Sequence, residues 1–214
     1  MSYDLVVKGG TIVTSHERYV ADVAVAGETI AAIGSDLDAD RTLDARGLYI
    51  LPGAIDGHVH MRTERPVDVY DDTFETGTIA AAFGGVTTMI DQAQVETGTS
   101  LHDGVDRRLA EAQPSLIDYG LHVNLREPSR ERLSEIPSLA ARGFPSFKFF
   151  MNYETYALPD AIIFAAMQQV AAADGLAIVH AEHRELIEEL ERQNAAAGRT
   201  GREWHLSARP SVLE

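Results

Sequence analysis

The sequence predicts an α/β protein with a parallel sheet, preceded by a segment of short strands. Residues 1–52 carry valine- and isoleucine-rich runs punctuated by glycine. Residues 53–214 alternate strand-like runs with long helical patterns, which is the signature of βα units. The texture changes at Leu51-Pro52-Gly53, which sets two domains, 1–52 and 53–214.

In the first domain DLVVKGGTIV, ADVAVAGETIAAIG and RGLYIL read as strands joined by turns. In the second, the strand AIDGHVH leads to the helix FETGTIAAAFG, closed by Gly84-Gly85. VTTMID is a strand, LHDGVDRRLAEAQ a helix and DYGLHVNL a strand. SRERLSEIPSLAARG reads as one helix, SFKFFM as a strand and PDAIIFAAMQQVAAADG as a helix. The strand LAIVHA and the helix HRELIEELERQNAAAG follow, with Leu186, Ile187 and Leu190 expected on one face. The tail ARPSVLE has the look of a further helix starting. A (β/α)8 barrel needs roughly 250 residues. The five strands counted after residue 53 therefore fit either an open α/β sheet or the first part of a barrel.

With 45% hydrophobic and 24% charged residues the chain has the composition of a globular protein. A net charge of −15 argues against nucleic acid and anionic membrane surfaces as partners. With no cysteine, disulfides and thiolate metal sites are excluded, so any metal must take histidine and oxygen ligands. The start MSYDLVVKGG lacks the basic region and apolar run of a signal peptide, and AIIFAAMQQVAAA is too short to span a bilayer. A cytoplasmic protein is expected.

Candidate chemistry begins with Asp56-Gly57-His58-Val59-His60. Alternation along a strand puts His58 and His60 on one face, roughly 7 Å apart at the backbone, where two imidazoles can grip one cation. Two polar residues near a strand end is the bland alternative, and the pair alone is a weak signal. His180 ends another strand, at the carboxyl edge where parallel α/β proteins bind ligands; a satisfied turn residue is its alternative. His183 reads as a helix-start residue. His16, His102, His122 and His205 offer no comparable spacing.

The chain has two lysines, Lys8 and Lys148, against sixteen arginines, and Lys148 lies inside SFKFFM. Alternation puts Ser146, Lys148 and Phe150 on one face and Phe147, Phe149 and Met151 on the other. A buried lysine favours its neutral amine, which can capture carbon dioxide. The resulting carbamate is anionic and can bridge two metals roughly 3.5–4 Å apart. The alternative is a stem that packs while the ammonium snorkels to solvent.

The pieces ADVAVAGETIAAIG, LPGAIDGHVH, DDTFETGTIAAAFGGVTTMID, DYGLHV, SFKFFMNY, VHAEHRELI and HLSARP, in that order, resemble the amidohydrolase superfamily in its cyclic-amidase branch of hydantoinases and dihydropyrimidinases. The resemblance implies an incomplete (β/α)8 TIM-type barrel of about five βα units, preceded by strands of a small β-sandwich domain. It implies a binuclear centre of two divalent ions, commonly zinc, ligated by His58, His60, carbamylated Lys148 and His180, with carbon dioxide needed for the carbamate. It implies that Tyr153 polarises the substrate amide and stabilises its oxyanion, that the substrate is a small cyclic amide, and that the full-length form is a homo-oligomer. Asp56 and Asp91 are candidates for orienting ligands, with strand-end capping as the alternative.

Departures from the pattern matter too. The family usually has asparagine where His183 stands. Arg62 resembles the dihydroorotase arginine that binds a substrate carboxylate, although TERPVDVYDD does not continue that branch's pattern, and a solvated loop arginine is the other reading. A further histidine ligand and an aspartate expected from later strands have no counterpart here. The chain is therefore expected to be the N-terminal part of a longer enzyme, inactive alone and with an exposed apolar sheet edge. Other expectations are a dihydroorotase- or allantoinase-type substrate, or a non-catalytic scaffold that keeps the fold.

Overall fold

In a computed structural model the described residues are 3–62, 72–127 and 129–213, and most of TERPVDVYDD lies outside them. The chain divides into two compact units, residues 1–54 and 55–214. Among the described residues no helix is long and apolar enough to cross a membrane.

The first unit is one mixed sheet. Strands β1 (Leu5–Val13), β2 (Arg18–Ala26), β3 (Thr29–Gly34), β4 (Thr42–Asp44) and β5 (Tyr49–Ile50) run in the order β3-β2-β1-β4, with β5 also beside β1. The β1–β2 and β2–β3 pairings are antiparallel, whereas β4 and β5 pair β1 in parallel. The register of β1 slips between Val7 and Gly10, and Gly9 takes a φ of +65° there, a conformation that favours glycine. Buried Asp22 fixes the slip by accepting the Gly9 N–H at 2.8 Å. The three-residue β4 carries too short a pattern to be read from sequence.

The second unit is a parallel sheet backed by helices. Its strands are β6 (Ala54–Val59), β7 (Val86–Gln94), β8 (Asp118–Asn124), β9 (Ser146–Phe150) and β10 (Leu176–His180), in the unbroken order β10-β9-β8-β7-β6. An open doubly wound sheet would reverse its strand order at a switch point. Sequential order with helices on one face is the winding of a barrel, so the structure decides between the two readings: this is part of a (β/α)8 barrel.

The helices are α1 (Phe74–Phe83), α2 (Leu101–Ala112), α3 (Arg130–Leu133), α4 (Ile136–Ala141), α5 (Asp160–Ala172) and α6 (Arg184–Ala196). Thr73 and Ser100 cap α1 and α2, each accepting a backbone N–H three residues on. Where one helix is expected over SRERLSEIPSLAARG there are two, because Pro137 opens α4 and cannot continue a preceding helix. On α6 only Ile187 is buried; Leu186 is 46% exposed, since adjacent positions on a helix point about 100° apart. The tail forms 3-10 turns rather than an α-helix.

The core lies between sheet and helices. Ala93, Leu121, Val123, Phe147 and Phe149 pack from the strands against Val105, Leu139, Ile163 and Val170. The alternate strand positions therefore face the other way, into the barrel. At the start of the barrel Asp91, wholly buried, accepts the Met61 N–H at 2.8 Å and pairs with Arg108 Nε at 2.6 Å. Arg108 also donates to the Met61 carbonyl and lies 4.7 Å from the Phe74 ring centre. Burial works against its charge, but the bonds to Asp91 and Glu111 outweigh that and raise its pKa. Gly77 in α1 leaves room for the Met61 thioether, which a Cβ would meet at 2.5 Å. Met61 is thus fixed from three sides, one residue after His60.

Removing one partner of a buried ion pair strands the other charge. Arg108→Ala is expected to cost about 3–5 kcal/mol in urea unfolding. Arg142→Ala, which breaks the exposed pair with Asp106, is expected to cost about 1 kcal/mol or less. Equal losses for the two variants would refute the clamp.

Candidate active site

The interior face of the second sheet is polar. Val59 packs on the helix side with Met89 and Phe74, which turns His58 and His60 inward from β6. By the same alternation Gln92 faces in from β7, His122 and Asn124 from β8, Ser146 and Lys148 from β9, and His180 from β10. The structure therefore puts the four predicted ligands on one face, at the carboxyl half of the strands.

The ring centres of His58 and His60 are 5.3 Å apart. Burial lowers the His58 pKa, helped by the charges of Lys148, His122 and His180, and outweighs the opposing pull of Asp56. Lys148 is 6% exposed and burial pushes its pKa down, so a larger fraction is neutral amine at a given pH than for a solvated lysine. Its Nζ stands 5.5 Å from the Phe150 ring centre. The snorkelling alternative does not fit a side chain so little exposed.

His180 is held from β10 by three contacts. Its Nε2 lies 2.5 Å from Glu182 Oε2, and its ring lies 5.0 Å from that of Tyr153 and 6.0 Å from that of Phe150. Burial raises the Glu182 pKa, but hydrogen bonds from His180 and Asn152 and the charge of Arg209 more than reverse this, so the net shift is downward. An ionised Glu182 accepts a hydrogen bond from Nε2–H, the tautomer that in a neutral ring presents Nδ1 as the lone pair. Among the described residues no three histidine or acidic side chains already stand close enough to hold an ion.

Tyr153 follows β9 with φ +65°, a strained value for a bulky residue. Asn152 holds it there: its Oδ1 accepts the Tyr153 N–H at 2.7 Å and its Nδ2 donates to Glu182 at 2.9 Å. The residue is 44% exposed, its ring beside that of His180. Among the described residues Asp56 accepts the backbone N–H of His58 and Asp91 that of Met61, the strand-end capping role. His183 precedes α6 and donates its N–H to the Leu213 carbonyl, which is the helix-start role. Arg62 has φ +44° and lines a cavity of about 300 Å³ with Gln94, Glu96, Arg107, Arg108 and Arg126, a cavity that none of the four candidate ligands lines.

Histidine spacing does not reveal His122, which proves central. It is buried, with Nδ1 2.7 Å from Ser146 Oγ and Nε2 2.9 Å from the Gly57 carbonyl, and its ring lies 6.5 Å from that of His58. Alternation with Leu121 and Val123 was the available signal. Glu182 had a signal too, an acid two residues after His180; Asn152 had none.

Residues 49–213 match the amidohydrolase family. The chain belongs to that family. It is 37% identical over its whole length to a D-hydantoinase of Streptomyces coelicolor, covering 48% of that protein. Over 98% of its length it is 37% identical to a dihydropyrimidinase of Rattus norvegicus, covering 42% of it. An allantoinase of Rubrobacter xylanophilus is 36% identical over the whole chain, with 47% of its own length covered. A solved D-hydantoinase structure superposes with a TM-score of 0.93 at 36% identity, covering 99% of this chain and 47% of that one. The chain spans about half the length of the curated relatives it matches.

Replacing His122 by leucine removes the donor to the Gly57 carbonyl, an expected cost of about 0.5–1.5 kcal/mol. Amide hydrogen exchange should then quicken in β6 more than in β9. Unchanged protection of β6 would show that His122 does not anchor the strand.

Proposed function

We propose that the protein is a metal-dependent hydrolase of cyclic amides or ureides, of the hydantoinase or dihydropyrimidinase type. The observation that carries this is Lys148, desolvated and turned by its phenylalanine neighbours onto the face that holds His58, His60 and His180. The D-hydantoinase likeness along the entire chain supports it.

The donor set fits a pair of divalent cations, zinc being the natural choice for imidazole and oxygen ligands without thiolate. His58, whose lowered pKa keeps it neutral, would ligate with His60 and with His180 through Nδ1. The neutral Lys148 amine would add to carbon dioxide and release one proton, becoming a carbamate whose single negative charge is shared by two oxygens that could ligate the cations. Such cations supply hydroxide near neutral pH and polarise the scissile carbonyl. The Tyr153 phenol would donate to the oxygen of that carbonyl as negative charge develops on it. Asn152 and Glu182 would hold the phenol and the His180 ring in one frame, so that donor and ligand keep their spacing.

An allantoin- or dihydroorotate-type ring is the second reading, favoured by the allantoinase relative. A non-catalytic scaffold has less support, because it would not need a desolvated lysine facing the histidines.

With protein expressed from its intact gene, Lys148→Ala should reduce bound metal to one ion per chain or fewer by elemental analysis. Two tightly bound ions in this variant would exclude the bridging role. On a panel of hydantoin, dihydrouracil, allantoin and dihydroorotate, turnover should be highest on one of the first two. Tyr153→Phe should lower kcat there by about 10²-fold or more with little change in KM. If Arg62→Glu leaves a measurable dihydroorotate turnover unchanged, the carboxylate role of Arg62 is dismissed.

A further inference from the structure

The interior face carries two primary amides that the described chain does not satisfy. Gln92 leaves both Oε1 and Nε2 without a hydrogen-bond partner, and Asn124 leaves Oδ1 without one; the two residues are 1% and 2% exposed. An orphaned buried polar group costs about 1–3 kcal/mol, so such groups point to a partner still to be supplied.

For Asn124 the neighbour is clear. Asn124 and Lys148 are register partners on adjacent parallel strands, and strands lie about 4.8 Å apart. Leu121, Val123, Phe147 and Phe149 occupy the opposite face, so both side chains stand side by side in the interior. Asn124 Oδ1 is a pure acceptor, and its register partner Lys148 carries a donor at the end of its side chain, the two being unbonded to one another in the unmodified lysine.

We infer that Asn124 is a positioning residue for the modification of Lys148, its Oδ1 accepting an N–H from Nζ. The inference rests on the carbamylation reading above. Such a bond would occupy one N–H of the neutral amine and direct the nitrogen lone pair away from Asn124. The lone pair forms the new N–C bond to carbon dioxide, one C=O electron pair moves onto oxygen, and a second N–H proton leaves to solvent. The carbamate nitrogen keeps a single N–H. With its oxygens taken up by cations, that N–H would be the group of the modified side chain left for the protein to satisfy, and its register partner carries an orphaned acceptor. An aspartate at this position would instead hold the ammonium as an ion pair, which does not react. Asn124 therefore supplies acceptance without charge.

The test uses metal-stripped protein from the intact gene, incubated with graded carbon-13 bicarbonate and zinc, with the carbamate carbon read by NMR. Relative to wild type, Asn124→Leu should need roughly tenfold more bicarbonate for half-occupancy, the worth of one hydrogen bond of about 1.4 kcal/mol. Gln92→Leu removes an equally buried amide in register with His122 rather than with Lys148 and should leave the half-point unchanged. A wild-type half-point in Asn124→Leu, or an equal shift in Gln92→Leu, overturns the inference. Should Asn124→Leu fail to fold, Asn124→Asp decides: loss of the carbamate signal supports the inference, and wild-type occupancy refutes it. Absence of a carbamate signal in wild type would instead sink the carbamylation reading itself.

Discussion

The orientation of β9 is the constraint on which the rest depends. Phe147 and Phe149, both fully buried against the helices, leave the strand one way to face. A shift of one residue would bury Lys148 in the apolar core and expose two phenylalanines, a cost of several kcal/mol. The apolar side of the strand thus fixes the lysine on the interior side, where burial keeps its amine less basic than in water. Packing chosen for the core and reactivity at the face are two consequences of one alternating pattern.

The strand that carries His58 needs a different solution. β6 lies at one end of the sheet order, with Ile55 69% exposed, so on one side no described strand holds it. Side chains replace the missing ladder. His122 reaches across to the Gly57 carbonyl, and the Asp91–Arg108 pair grips both the N–H and the carbonyl of Met61. These clamps bracket His58 and His60, one residue outside each. The strand end that carries the two histidines is therefore held by its backbone on both sides of the pair.

Most of the barrel is legible in the sequence because its strands and helices have strong and different periods. Five strands and the helices between them stand where alternation and caps put them, and strand order alone was needed to tell barrel from open sheet. The failures share a cause. β4 has too few residues to show a period, Pro137 splits a continuous helical pattern, and Leu186 reads as core only if one ignores its 100° offset from Ile187. The site divides along the same line. His58, His60, Lys148 and His180 are visible because a strand period predicts their face. His122, Asn152 and Asn124 are not, because their meaning lies in partners 24 to 65 positions away or in the adjacent strand, which only the register reveals.

That distinction bears on how the catalytic tyrosine candidate is controlled. Tyr153 lies in a loop, and loops position side chains less well than strands. Here the loop borrows rigidity from β10. Asn152 is buried, and its amide ties the Tyr153 backbone to Glu182, which in turn holds His180. Tyrosine, asparagine, glutamate and histidine form one hydrogen-bonded line from the loop to a strand end. The positive φ at Tyr153 is the strain this line sustains. Breaking any link lets the backbone relax and moves the phenol relative to the imidazole, so the loop conformation and the orientation of the His180 ring are a single variable.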